Sequence, residues 1–152
     1  MEEFLQPFFL AADNVFENMF NLKIKCGLLQ YHERYVSTRE ANINIGVTGD
    51  LSGSVIYSFS KKLAFSVTSL IAGMEFTELN EFVGSAVGEI ANIISGNAMT
   101  NLTEQNYRCN IVPPEVFLGS GSSMIVTKNN IITIPIKTEM GDFDINVSVE
   151  TR

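Results

Sequence analysis

The segment Ser85–Leu102 reads SAVGEIANIISGNAMTNL, and its mixture of apolar and polar spacings predicts a long amphipathic helix. At about 100° per residue, one stripe of this helix is apolar and consists of Val83, Val87, Ile90, Ile94 and Ala98. A polar set falls on the opposite side and consists of Ser85, Glu89, Asn92 and Gly96. We therefore expect the apolar stripe to pack in a core and the polar set to face away from it.

The polar set has two interpretations. Serine, glutamate and asparagine at helical spacing can form an ordinary solvated face. Asparagine, serine and glycine are nevertheless poor choices for an exposed helix interior. The small residues Gly88, Ser95 and Gly96 would also make the face flat, so that another molecule could approach the backbone closely. These features favour a docking surface, with Ser85, Gly88 and Gly96 as candidate partner-binding residues.

The segments around this helix predict a domain in which helices and strands do not alternate regularly. Before the long helix, the predicted elements are a helix from 5 to about 21, extended chain over 23–36, strands over 41–47 and 54–59 joined by a turn at 49–53, and a helix that Ser60 caps and Gly73 ends. The long helix has Glu78 and Glu81 in its first turn and ends near 105. After it, the predicted elements are a bent or edge strand over 110–118, a hairpin of 123–127 with 131–138, and a strand over 143–149. This order favours an α+β fold with a mostly antiparallel sheet. A helix followed by about three strands occurs twice, which indicates a weak internal repeat.

Two patterns predict which side chains are buried in the flanking elements. The second helix has one apolar stripe, which we expect in the core: Leu63, Val67, Leu70, Ile71 and Met74. Apolar and polar residues alternate in the last strand, so its apolar face should pack in the core. Its polar face should meet water and consists of Asp144, Asn146, Ser148 and Glu150. Proline at 135 predicts an edge or bulged strand there.

Composition limits the classes of function. A chain of 152 residues fits one domain, 1–152, and its formal charge of −7 argues against a nucleic-acid partner. No apolar run approaches the roughly 20 residues that span a bilayer, and two glutamates follow Met1 where a secretory signal carries basic residues, so we expect a cytoplasmic protein without a membrane segment.

The chain offers no recognisable metal, redox or phosphate motif. Cys26 and Cys109 lack CxxC spacing and are expected to be buried thiols, and the single histidine, His32, is expected on the surface of a strand. No cluster of residues has metal-ligand spacing. The glycine- and serine-rich stretch 119–123 matches no full phosphate-binding pattern, so a turn is the preferred interpretation.

The pattern Ser85-x3-Glu89-x2-Asn92, continued by Gly96-Asn97-Ala98, resembles the signature of the CheC/CheX family of chemotaxis phosphatases. The likeness extends to three flanking segments and so covers most of the chain: SFSKKLAFSVTSLIAGMEF (58–76), CNIVPPEVFLG (109–119) and IPIKTEMGDFDINVSVE (134–150). The resemblance implies a CheC-like fold and an enzyme that removes the phosphoryl group from the aspartate of a CheY-like receiver domain.

The resemblance also implies roles for particular residues. Glu89 and Asn92 correspond to the family's functional pair, with Asn92 orienting the attacking water and Glu89 contacting the receiver's active-site lysine. The required Mg²⁺ would be supplied by the receiver, which agrees with the lack of a ligand set in this chain. The family forms homodimers through its sheets, so a homodimer is expected.

One departure from the two-motif members of the family limits the number of sites. If the first helix is the repeat partner of the long helix, Asp13-x3-Glu17-x2-Phe20 overlays Ser85-x3-Glu89-x2-Asn92, with a phenylalanine in place of the asparagine. A phenylalanine cannot orient water, so one site per chain is expected. The alternative function is a non-catalytic module that binds receivers or belongs to a flagellar switch, because a fold does not fix a function.

Overall fold

Three α-helices cover one face of an antiparallel sheet in the computed structural model, which describes residues 2–119 and 124–152. The helices are α1 (Leu5–Phe20), which follows a short 3-10 turn at Glu2–Phe4, α2 (Lys61–Ala72) and α3 (Glu81–Glu104). The strands are β1 (Lys25–Cys26), β2 (Gln30–His32), β3 (Tyr35–Ser37), β4 (Ala41–Gly49), β5 (Leu51–Phe59), β6 (Cys109–Ile111), β7 (Glu115–Leu118), β8 (Met124–Val126), β9 (Ile131–Thr138) and β10 (Gly141–Thr151). The α+β prediction is confirmed.

The order of strands in the main sheet shows the predicted internal repeat. The path is β1-β9-β10-β5-β4-β6, with β2 also paired to β9 and β7 also paired to β4. The strands β5 and β10 end the two halves of the chain and pair antiparallel at the centre. Each half gives its first strands to the other half, because β1 and β2 lie beside β9 while β6 and β7 lie beside β4. The two halves are thus related by an approximate two-fold arrangement.

The core lies between this sheet and the helices. Alternate side chains of the central strands point toward the helices and are fully buried, among them Ile43, Tyr57 and Ile145. An aromatic stack joins α1 to the sheet, because the ring of Phe143 lies 5.0 Å from that of Phe16 and 5.2 Å from that of Phe59. Such contacts add to the burial of large apolar side chains and hold the helical layer in place.

The prediction that the polar face of the last strand meets water is wrong for its central residues, although Glu150 near its end is exposed as expected. Asn146 and Ser148 are both 1% exposed. Asn146 accepts a hydrogen bond of 2.6 Å from Thr133 Oγ1 and donates one of 3.0 Å to the carbonyl of Ile56. Ser148 Oγ donates to the carbonyl of Asn129 at 3.0 Å. These internal partners are why polar residues can be buried there without a large desolvation cost.

The predicted hairpin of 123–127 with 131–138 is wrong. The strand β8 pairs with β3 in a separate two-stranded sheet, with Val36 opposite Ile125, and β9 pairs instead with β10. Residue 123 lies outside the described residues, as do 120–122 of the glycine- and serine-rich stretch. Sequence patterns describe local order, whereas this pairing joins segments about 90 residues apart in the chain.

Two smaller expectations at turns and bulges can be compared with the structure. The predicted turn at 49–53 is too long, because β4 ends at Gly49 and β5 begins at Leu51. Pro135 lies opposite the irregular stretch between β1 and β2, where residues 27–29 face only 134 and 135, so a bulge is present. The carbonyl of Pro135 still accepts a hydrogen bond of 2.8 Å from Gly27 N.

Two predictions of burial are wrong. Leu63 and Val67 are buried as expected, but Leu70 and Ile71 at the end of α2 and Met74 just after it are exposed, because no element in the described part of the chain packs over them. Cys26 is exposed and Cys109 is half-buried, and both are free thiols. His32 lies on β2 as expected and is half-buried.

Candidate functional site

The candidate site is the outer face of α3, a helix whose bounds follow from its end residues. Asn80 caps the helix, since its side-chain oxygen accepts a hydrogen bond of 3.0 Å from Val83 N. Glu81 lies in the first turn, where a negative charge favours the helix N-terminus, whereas Glu78 lies outside the helix, contrary to the prediction. The predicted apolar stripe is confirmed, because all of its members are fully buried: Val83, Val87, Ile90, Ile94 and Ala98.

Hydrogen bonds fix α3 to the sheet and to α1. The hydroxyl groups of Tyr57 on β5 and Ser95 on α3 are 2.8 Å apart and both side chains are buried. Burial raises the pKa of the Tyr57 hydroxyl, and the hydrogen bond with Ser95 opposes part of that rise. Asn101 Nδ2 donates to the carbonyl of Pro7 at 3.0 Å. These contacts restrict rotation of α3 about its axis and so determine which side chains face outward.

The outer face of α3 carries the predicted polar set. Ser85 and Glu89 are exposed, and Asn92 and Gly96 are half-buried. Above Gly96 the space is open, because a Cβ atom placed there would have no neighbour within 4 Å. Within the described part of the chain, neither Glu89 nor Asn92 has an ion-pair or hydrogen-bond partner. Both side chains are thus available to another molecule, on a rigid helix.

The expectation that Gly88 and Ser95 contribute to this open face is wrong. Gly88 is buried beside β7, where a Cβ atom would lie 3.3 Å from Val116 Cγ2. Gly84 has the same environment, with Val116 Cγ1 at 3.1 Å from its Cβ position. These glycines allow α3 to approach β7 closely. Of the three candidate partner-binding residues, Ser85 and Gly96 lie on the open face and Gly88 does not.

The corresponding part of α1 is chemically different. Glu17 is exposed and Asp13 is half-buried, as on an ordinary amphipathic helix. Phe20 takes the place of the asparagine and is half-buried, with its ring 5.5 Å from that of Phe16. The polar pair of α3 therefore has no counterpart in α1, and a single site per chain stays a prediction.

The described residues show neither a cluster of potential metal ligands nor a membrane-spanning helix. Residues 2–119 and 124–152 contain no group of three or more histidine, cysteine, aspartate or glutamate side chains placed to hold a metal ion. Over the same residues, no helix combines the length and the apolar character required to cross a membrane.

An apolar surface next to the polar set was not predicted as functional. Phe82 in the first turn of α3 is 53% exposed, and Ile71 at the end of α2 is 49% exposed. The only signal in the sequence was an apolar stripe in α2 that continues to its last turn. We interpreted that stripe as core because spacing alone does not show where a helix extends beyond its neighbours.

The fold and the outer face of α3 together define a class of protein, namely an α+β domain with an internal repeat that presents a Glu-x2-Asn pair on its long helix. The family model for the chemotaxis phosphatase CheX matches residues 42–137, which include that pair and more than half of the chain. The chain therefore belongs to the CheX family.

Individual relatives agree with this assignment. The CheY-P phosphatase CheX of Thermotoga maritima is 37% identical over 109 residues, which are 70% of each chain. The crystal structure of the chemotaxis protein CheX from Vibrio vulnificus has a TM-score of 0.88 at 28% identity and covers 97% of this chain and 99% of its own. The CheX–CheY–BeF3–Mg²⁺ complex from Borrelia burgdorferi contains a chain with the same fold, at a TM-score of 0.75 and 22% identity over 97% of both chains. The predicted CheC-like fold is confirmed.

Proposed function

We propose that this protein hydrolyses the aspartyl phosphate of a CheY-like response-regulator receiver domain, using Asn92 and Glu89. The observation that carries the proposal is the placement of both side chains on the outer face of a fixed helix, without a side-chain partner among the described residues. The relationship to the Thermotoga maritima CheY-P phosphatase supports the same reaction and substrate class.

The reaction asks little of the catalyst beyond positioning. A water oxygen forms a bond to phosphorus while the bond between phosphorus and the aspartate oxygen breaks, which yields inorganic phosphate and a free carboxylate. The protons of the water remain on the phosphate or pass to solvent. Catalysis of such transfers depends mainly on orientation and on complementary charge.

Asn92 has the right functional group for this positioning. Its amide oxygen can accept a hydrogen bond from the attacking water, and its amide nitrogen can donate one to a phosphoryl oxygen. A carboxylate at the same position would repel the phosphoryl charge. Asn92 is half-buried on the helix, so its backbone is fixed while its amide group reaches the surface.

Glu89 lies one turn before Asn92 and is better suited to a cation. We assign its carboxylate to an ion pair with the active-site lysine of the receiver, which would align Asn92 with the phosphoryl group. Ser85 and Gly96, one turn further in each direction, leave room for the receiver around this pair.

The metal ion belongs to the substrate in this proposal. A phosphorylated receiver carries Mg²⁺ at its own acidic site, and the Borrelia burgdorferi complex likewise contains Mg²⁺ with CheY and BeF3. This chain is proposed to need no metal of its own. The proposed substrate is a cytoplasmic signalling domain, and the cytoplasm is accordingly the proposed location.

We also propose that the protein is a homodimer. The outer edge of the sheet at β6 and β7 is short and is interrupted at Pro113 and Pro114, and apolar side chains at this edge are exposed, with Val112 at 45% and Phe117 at 52%. Sheet edges that carry unpaired backbone groups tend to be covered by another chain. A two-fold axis would then place two catalytic faces in one assembly.

The test is phosphate release from a CheY receiver that a small phosphodonor keeps phosphorylated, measured with and without this protein. Release that accelerates in proportion to the amount of protein supports a phosphatase. If the protein binds BeF3-loaded CheY but leaves the rate of release unchanged, the alternative of a non-catalytic receiver-binding module replaces the proposal.

A further inference from the structure

The end of α2 and the start of α3 form an apolar surface that is left uncovered by residues 2–119 and 124–152. Phe82 and Ile71 line one shallow depression together with Ala86, Ser85 and Glu81. Phe82 stacks on Phe76 of the connecting segment, with ring centroids 5.1 Å apart and ring planes 13° from parallel. We call this surface, Ile71 with Phe76, Phe82 and Ala86, the Phe82 patch. The ring of Phe82 is held in place by its packing against Phe76 and is still half-exposed, as is typical of the aromatic anchor of a protein interface.

The Phe82 patch is continuous with the catalytic face. Ser85 is part of the wall of the depression and lies one helical turn from Glu89. Phe82 precedes Glu89 by seven residues, which corresponds to roughly 10 Å along the helix axis. A standard protein interface covers about 800 Å² on each partner and is much wider than that distance. A domain that places its active site on Glu89 and Asn92 therefore covers Phe82 as well.

The charges around the patch indicate what kind of surface fits it. Glu81 in the first turn of α3 lines the depression, and Glu75 and Glu78 are exposed in the connecting segment that carries Phe76. An apolar centre with an acidic rim matches a partner surface that is apolar with basic residues around it. A second copy of this chain fits poorly, because a two-fold contact through the patch would set the same carboxylates against each other.

We infer that the Phe82 patch is the docking site for the receiver domain, and that it takes an apolar, lysine- or arginine-bordered surface next to the receiver's phosphorylation site. This inference rests on the proposed function and extends it. The patch supplies affinity and selects among receivers, whereas Glu89 and Asn92 act at the phosphoryl group. Binding energy of this kind is equal in the ground state and the transition state, so it changes KM and leaves kcat unaltered.

The test uses Phe82→Ala with Tyr35→Ala as a matched control. Tyr35 is an aromatic residue that is 55% exposed, against 53% for Phe82, and it lies on β3 in the separate two-stranded sheet of β3 and β8. Steady-state phosphate release is measured against the concentration of phosphorylated CheY. We expect KM to rise about tenfold in Phe82→Ala with kcat within about twofold of wild type. Tyr35→Ala should retain the wild-type KM.

A second arm separates failure of docking from failure of the proposed chemistry. The dissociation constant for BeF3-loaded CheY is measured by titration for wild type, Phe82→Ala and Glu78→Lys. We expect weaker binding by both variants, and slower association by Glu78→Lys because it reverses a rim charge. If wild type binds but releases no phosphate, the proposed function fails while the Phe82→Ala titration still tests docking. The docking inference would be overturned if wild type and Phe82→Ala bound BeF3-loaded CheY with equal affinity, or if wild type did not bind it. It would also be overturned if wild type were a dimer and Phe82→Ala a monomer, because the patch would then be a contact between two copies of this chain.

Discussion

At the scale of single residues, Glu89 separates recognition from chemistry. Its carboxylate is exposed and has no partner in the part of the chain that the structure describes, so its replacement should leave the fold intact. If it pairs with a receiver lysine, Glu89→Ala should weaken binding by about tenfold, and Glu89→Lys should weaken it further because it places like charges together.

The measurement is a titration of each Glu89 variant against BeF3-loaded CheY, with the melting temperature as a check of folding. Glu17→Lys is the matched control, since Glu17 is also exposed and occupies the corresponding position in α1. Wild-type affinity in Glu89→Lys would remove Glu89 from the interface.

At the scale of elements, the two glycines of α3 are expected to behave differently. A Cβ atom at Gly96 meets nothing within 4 Å, so Gly96→Ala should stabilise the helix by up to about 1 kcal/mol and raise the melting temperature by about 2–4 °C. The added methyl group would however stand between the helix and a docked receiver, so KM for phosphorylated CheY should rise severalfold.

Gly88→Ala is the control for that substitution. Its new methyl group would press against Val116 of β7, so the gain in helix propensity is offset by the cost of tight packing. The methyl group would not reach the receiver, so KM should stay at the wild-type value. A Gly96→Ala variant that is more stable and has an unchanged KM would show that the receiver does not approach this part of α3.

One buried pair of hydroxyl groups, from Tyr57 and Ser95, contributes to the attachment of α3 to the sheet. In Tyr57→Phe the Ser95 hydroxyl loses its partner in a site that is 1% exposed, so the free energy of unfolding should fall by about 1–3 kcal/mol. Adding Ser95→Ala should recover part of that loss, because the unpaired group is then removed. Denaturant unfolding of the two single variants and the double variant measures the coupling, and strictly additive losses would show that the pair does not act as a unit.

Sequence periodicity was sufficient to predict α3 and its buried side, but it did not predict the contacts that other segments make with this helix. The inner stripe from Val83 to Ala98 was predicted because a helix buried along one side must repeat its apolar residues at helical spacing. The burial of Gly88 by β7 and the pairing of β8 with β3 were missed, because both depend on segments distant in the chain. Glu89 and Asn92 were identified through a family resemblance, since a polar helix face by itself does not distinguish a site from solvated surface.

At the scale of the whole molecule, we expect the two halves to contribute unequally to function. Their strands exchange across the centre of the sheet, and α1 and α3 occupy related positions, but only α3 has the polar pair. Restoring the missing side chain by Phe20→Asn should therefore not produce a second active face. It should lower the melting temperature instead, because it removes the contact between Phe20 and Phe16. Doubled activity per chain would contradict this expectation.

The state of assembly is a further expectation at this scale. Light scattering at micromolar protein should give the mass of a dimer, twice the 16.8 kDa of one chain. A charge at the exposed sheet edge, as in Val112→Lys, should shift the mass toward the monomer, whereas Phe82→Lys should not, because the Phe82 patch is assigned to the receiver. A wild-type protein that is monomeric at this concentration would exclude the proposed homodimer.

The central claim is that Asn92 positions the attacking water, and Asn92→Ala tests it most directly. An amide that acts chiefly in the transition state contributes to kcat and little to binding. We measure the rate of phosphate release at saturating phosphorylated CheY, the affinity for BeF3-loaded CheY and the melting temperature, with Asn14→Ala on the exposed side of α1 as the matched control. The account predicts a loss of roughly a hundredfold or more in kcat for Asn92→Ala, with near wild-type affinity and an equal or slightly higher melting temperature, and no loss for Asn14→Ala. An Asn92→Ala variant with full activity would contradict the account and leave α3 as a surface that binds receivers without catalysis.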